Sequence, residues 1–147
     1  MTINSRTKGQ TGEREIAALL NDIMAEVATD LGLEHILEDS SLIVQRNQNQ
    51  SAVGGFDLIN TMHYAIEIKR QETLSVNKWW EQSIKQAGTS KKAVLIYRQN
   101  RKPWRVVTVG VIEGTIIKAP AEFSLETFLL AYKHVVIQYL TETYLPK

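Results

Sequence analysis

Residues Ala93 to Tyr97 read AVLIY, five apolar side chains with no polar residue between them. Side chains along a strand point alternately to opposite faces, so such a run is apolar on both. A strand of this kind belongs in a sheet covered above and below. The chain must therefore supply helices for both faces, and its periodicity does so.

Lys8 to about Thr29 reads as an amphipathic helix, with Ile16, Leu20, Ile23, Met24 and Val27 forming a buried stripe. Thr7 with Gln10 fits a capping box that starts it near Lys8. Ser75 to Gly88 reads as a second helix. Val76, Trp80, Ile84 and Ala87 make its core face and Trp79, Ser83 and Gln86 a neighbouring stripe, with Gln82 farther towards the polar side. Trp79 and Trp80 stand about 100° apart on an ideal helix. Trp80 suits the core, and Trp79 could stack on a base or meet a partner. Ser124 caps a last helix whose apolar face is Leu125, Phe128, Leu129, Tyr132, Val136 and Tyr139. Leu31 to Ser40 is a connection with room for a short helical turn.

Strands are expected at Ser41 to Arg46, Phe56 to Ile59, His63 to Lys69, Ala93 to Tyr97 and Trp104 to Val111. A turn around Asn60 to Met62 would join the second and third as a hairpin. The polar, glycine-ended segment Asn47 to Gly55 is a loop, in which Gly54 and Gly55 allow a tight turn or close backbone approach. The order is helix, three strands, helix, two strands, helix. This is an α/β fold, a central sheet flanked by helices, and 147 residues at 44% hydrophobic content suit one domain spanning residues 1–147.

With no cysteine, disulfides, zinc–thiolate centres and thiol nucleophiles are excluded. The opening MTINSRTKGQ has no apolar core of a signal peptide, and no apolar run reaches bilayer length. The cytoplasm is the expected compartment, and no membrane partner is expected. Net charge is only +1, but it is unevenly spread. Lys85, Lys91, Lys92, Arg98, Arg101, Lys102 and Arg105 follow one another without an intervening acid, and Arg6, Lys8 and Arg14 form a second group. Such patches either neutralise phosphates or simply face solvent. His35, His63 and His134 lack metal-ligand spacing and read as structural.

In a sheet covered on both faces, a polar face needs a reason. The third strand has one: Glu67 and Lys69 share a side, while Tyr64, Ile66 and Ile68 take the other. Asp57 precedes Glu67 by nine intervening residues. Two carboxylates and a lysine at one end of a sheet suit a hard divalent cation and a phosphodiester. Mg²⁺ prefers oxygen ligands and keeps several waters, so Asp57, Glu67 and the Ile68 carbonyl suffice to hold it. Lys69 could orient or deprotonate the attacking water, or neutralise transition-state charge. Glu13, near the start of the first helix, equally suits the positive end of the helix dipole.

Asp57, Glu67-Ile68-Lys69 and the order of elements resemble the PD-(D/E)XK nuclease superfamily, with Phe56 where the eponymous proline would stand. The segment KGQTGERE, Lys8 to Glu15, is similar to the opening of archaeal Holliday-junction resolvases. WWEQSIKQA and LIYRQNRKPW extend the likeness more loosely to phage-type relatives, so that it covers most of residues 6 to 105. The resemblance implies a restriction-endonuclease-like αβββαβ core, followed here by an extra strand and helix. It implies metal binding by Glu13, Asp57, Glu67 and Ile68, and catalysis by Glu13, Asp57, Glu67, Lys69 and a glutamine of the second helix, Gln82 or Gln86. It also implies Mg²⁺, with Mn²⁺ as a substitute, and DNA contacts through Arg6, Lys8, Arg46, Lys85, Arg98, Arg101 and Lys102. A branched DNA substrate, a homodimer and a phage or mobile-element origin follow from the same likeness. A non-specific or flap-directed DNase would use the same residues. A non-catalytic nucleic-acid-binding module on this fold, or a domain whose basic surface binds a protein, remain the other readings.

Overall fold

The computed structural model describes residues 5–48 and 56–147, with side chains from residue 8 onward. Helix α1 runs Ser5–Asp30, so Thr7 lies inside it and not at its start. Two 3₁₀ turns follow, Glu34–Glu38 and Ser40–Leu42. The second shortens the expected first strand, because the Asp39 carboxylate accepts from both the backbone N–H and the hydroxyl of Ser41, at 2.9 and 2.8 Å. That local alternative to a ladder leaves β1 only Gln45–Arg46. β2 is Leu58–Ile59, and the two form their own antiparallel pair.

The main sheet has four strands in sequential order: β3 (Tyr64–Arg70), β4 (Lys92–Arg98), β5 (Arg105–Val111) and β6 (Lys118–Ser124). β3 and β4 are parallel, joined by helix α2 (Val76–Ala87), and the other pairs are antiparallel. The expected hairpin between the second and third strands is not a continuous ladder. β2 reaches β3 through the Asp57 N–H, which donates to the Ile66 carbonyl at 2.9 Å. Asn60 and Met62 turn the chain with φ of 65° and 54°, and Asn60 Nδ2 donates to the Ile43 carbonyl at 2.9 Å.

β6 was not anticipated. Its sequence KAPAEFS has no apolar alternation because most of the strand is exposed, and Pro120 is tolerated since the strand lies at the sheet edge. Helix α3 (Leu125–Tyr144) follows at once, and Ser124 caps it as expected, its hydroxyl accepting from the Thr127 N–H at 3.1 Å.

The alternation in β3 and β4 divides the core as AVLIY requires. Ile66, Ile68, Val94, Ile96 and Val106 pack with α1 and α3, around Ile16, Leu20, Phe128, Tyr132 and Val136. Ala65, Ala93, Leu95, Tyr97 and Val107 pack against α2. Two expectations about α2 change. Trp79 is buried beside Trp80, its ring 6.1 Å from that of Tyr97, so it is unavailable for stacking on a base or meeting a partner. Ile84 is 49% exposed because the buried face centres between Trp79 and Ala87, a right angle away from it. On α3 the buried line runs 125, 128, 132, 136, 140, which leaves Tyr139 exposed and places Leu140 inside. No helix among the described residues is long and apolar enough to cross a membrane.

Candidate active site

β3 is the strand at the sheet edge nearest β2, and its Glu67 is buried on the α2 side of the sheet. Asp57, also buried, approaches from just before β2. Its Oδ2 accepts the Ile68 N–H at 2.7 Å while its own N–H bonds Ile66. N–H and C=O of one strand residue point to the same edge, so the Ile68 carbonyl also faces the Asp57 side. Asp57, Glu67 and the Ile68 carbonyl therefore meet at one edge of β3, with half-buried Lys69 on the face of Glu67.

The electrostatics of this edge are unfavourable as they stand. Burial pushes the Asp57 carboxyl well above the ordinary range. The Ile68 N–H opposes the shift, Glu13 adds to it, and Lys69 and Arg46 lower it. Glu67 is raised in the same direction, first by burial and then by the charge of Asp57, with Lys69 opposing. Glu67 Oε1 is buried and finds no hydrogen-bond partner among the described residues. A buried carboxylate oxygen without a donor costs free energy that a cation would recover. The donor set fits a hard divalent ion: two carboxylates and a backbone carbonyl leave coordination positions for water.

Glu13 is buried, but α1 begins at Ser5, so Glu13 lies two turns in, away from the positive end of the helix dipole, and its Oε2 accepts from Arg46 Nε at 2.6 Å. Two residues with separate expected tasks, metal for Glu13 and nucleic acid for Arg46, are thus bound to each other. Among the described residues no three carboxylate or imidazole groups converge into a metal cage. What brings α1 so close to β3 is Gly12. A methyl group there would lie 3.1 Å from Trp104 Cη2 and 3.5 Å from Ile68 Cγ2. Sequence reading passed over this glycine, although it stands inside KGQTGERE.

Gln82 is exposed, whereas Gln86 is half-buried with its Oε1 shielded and without a partner among the described residues. Gln86 rather than Gln82 faces the sheet, because it flanks the buried stripe of Trp79 and Ser83. Of the expected phosphate contacts, the Arg6 side chain lies outside the described residues. Lys8 Nζ pairs with exposed Glu72 at 3.1 Å. Lys85 is exposed on the last turn of α2, where a cation also suits the helix dipole. Arg98 lies 5.3 Å over the Trp104 ring and 4.0 Å from Glu15, and Arg101 and Lys102 project from the turn between β4 and β5.

Residues 4–138 match a family described as "Phage putative PDDEXK endonuclease". The chain belongs to this PD-(D/E)XK nuclease family. No curated protein and no solved structure gives a match. The match to this phage PDDEXK endonuclease family takes in α1, the β3 edge, the basic turn and most of α3. The mixed sheet flanked by helices is consistent with its restriction-endonuclease-like fold.

Proposed function

We propose that the protein is a divalent-metal-dependent DNA endonuclease, selective for branched DNA such as a four-way junction and acting as a homodimer. The observation that carries the reading is the β3 edge, where buried Asp57 and Glu67 face one site beside Lys69 and Glu67 Oε1 has no donor. Asp57, Glu67 and the Ile68 carbonyl would hold Mg²⁺, with Mn²⁺ as a substitute. Such an ion would supply Lewis acidity, acidifying a water and neutralising phosphate charge. Lys69 stabilises charge developing on the phosphoryl oxygens and orients the attacking water. Arg46 holds Glu13 against the site, fixing the field around Asp57. Lys8, Lys85, Arg98, Arg101 and Lys102, with Arg6, would neutralise backbone phosphates. Two copies related by a two-fold axis would match the two-fold symmetry of a junction and place paired cuts.

The test is cleavage of a labelled four-way junction beside matched duplex, flap and single-stranded DNA, with Mg²⁺, with Mn²⁺ and with EDTA. Paired symmetric nicks on the junction alone are expected, lost in EDTA and reduced at least about a hundred-fold by Asp57→Asn or Glu67→Gln. Cleavage of every substrate would retain the nuclease and remove the junction selectivity. Binding without cleavage in any metal would leave a nucleic-acid-binding module. Light scattering with and without junction reads the dimer directly.

A further inference from the structure

The sheet carries a second group of polar residues on the same face as Glu67 and Lys69. Lys69 is in register with Tyr97, and Tyr97 with Arg105. One row along, Glu67 aligns with Leu95, Leu95 with Val107 and Val107 with Glu122. Paired residues in adjacent strands share a face, so Tyr97, Arg105 and Glu122 continue the face of the active site. With strands roughly 4.8 Å apart, Arg105 lies about 10 Å from Lys69, a few nucleotides along a DNA strand.

These residues are joined to one another. The Tyr97 hydroxyl donates to Glu122 Oε1, and Arg105 Nε donates to Glu122 Oε2 at 3.3 Å. They line a cleft of about 250 Å³ together with Arg98, Lys102 and Pro103. Arg105 and the buried Tyr97 phenol hold one carboxylate there, and Lys102 lines the same cleft. The Arg105–Glu122 pair is long, and both side chains are about 40% exposed, so the guanidinium can change partners readily. The cleft is thus built to hold an anion and, in the free protein, holds its own.

We infer that Arg105, Lys102 and the Tyr97 hydroxyl form a subsite for a DNA backbone phosphate a few nucleotides from the scissile one, and that Glu122 occupies this subsite until DNA binds. The inference rests on the nuclease reading for its ligand but not on catalytic activity. Arg105 and Tyr97 are positioning residues: they set where the strand lies relative to Lys69. An arginine suits the task because its planar fork matches two phosphate oxygens. Glu122 sets a threshold, since a phosphate must displace it, and so penalises weakly held strands. Burial and the bond to Glu122 push Tyr97 up to about 12, further from the neutral range in which its hydroxyl is in any case a donor.

The experiment measures binding of a labelled four-way junction and of duplex, in EDTA, across a salt series. Arg105→Ala is expected to weaken binding about three- to ten-fold and reduce the salt slope by about one. Glu122→Gln, which can still accept from Tyr97, is expected to tighten binding by a similar factor. Arg105→Lys should retain the slope. A scan replacing single phosphates by neutral methylphosphonates should find one position that weakens the wild type and has no effect in Arg105→Ala. Unchanged affinity and slope in Arg105→Ala, or weaker binding in Glu122→Gln, would overturn the subsite and mark the chain as a structural bridge. A wild type that binds neither DNA overturns it too. Binding behaviour as expected but no cleavage in any metal would leave the subsite standing and refute only the endonuclease.

Discussion

Tyr132 has no exposed surface, and its hydroxyl finds no hydrogen-bond partner among the described residues. Its ring packs at 6.1 Å from Phe128 and 6.2 Å from Tyr64, at the junction of α3 and β3. Tyr132→Phe keeps the ring and removes an unsatisfied buried hydroxyl, so it should raise stability by up to about 1 kcal/mol, read from the urea midpoint. Glu67 gives a sharper test, because its charge has a pH signature. A carboxylate whose pKa is raised on folding stabilises the folded state only while protonated. That stability is complete below the ordinary carboxylate range and is lost as pH rises to about 8. Without added metal, Glu67→Gln should gain on the wild type as pH rises, by more than about 1 kcal/mol between pH 5 and pH 8. A constant difference across that range would show that Glu67 is not held in an unfavourable field. Both groups also predict proton release when a divalent ion binds near pH 7, seen as a dependence of calorimetric heat on the buffer's ionisation enthalpy. The types and spacing of Asp57, Glu67 and Lys69 are enough to propose them as neighbours in a site. What spacing does not give is how Glu13 is partnered, since Arg46 is 33 residues away in the chain.

The long elements were legible because periodicity survives burial: α1, α2, α3, β3 and β4 all lie where their apolar patterns put them. The short or exposed ones were not. β1 lost most of its length to the turn that Asp39 caps, and β6 carries no hydrophobic signal because little of it is covered. α1 makes its own prediction through Gly12. Its place in the helix costs roughly 0.5–1 kcal/mol relative to alanine, yet the adjacent indole, 3.1 Å from where a methyl would sit, would have to yield to any side chain. Trp104 cannot retreat easily, being buried beneath Arg98 with its Nε1 donating to Glu15 at 3.1 Å. Gly12→Val should therefore destabilise by about 1–3 kcal/mol and push α1, with Glu13, away from Ile68. Loss of cleavage beyond what the melting shift explains is the expected signature.

Across the molecule, the site draws on α1, the entry to β2 and the edge of β3, while the opposite edge of the sheet ends in a hairpin that little covers. Val109, Val111, Ile112, Ile116 and Ile117 are all exposed there, Ile116 at 94%. Ile116→Lys should leave the melting temperature within the equivalent of about 0.5 kcal/mol while improving solubility, as scanning calorimetry and turbidity would show. β3 itself ties chemistry to assembly. Its buried faces differ by one residue: Ile66 and Ile68 on one, Glu67 and Lys69 on the other. If β3 paired with β4 one residue out of step, an acid and a base would be driven among Ile16, Leu20 and Val106 and two isoleucines would be turned towards the candidate site. The same charges proposed to act on a phosphodiester thus act during folding as a check on misalignment. A chain with apolar residues at both positions would lose that proofreading and could settle into mixed registers, reaching its native state more slowly although its core had become more hydrophobic.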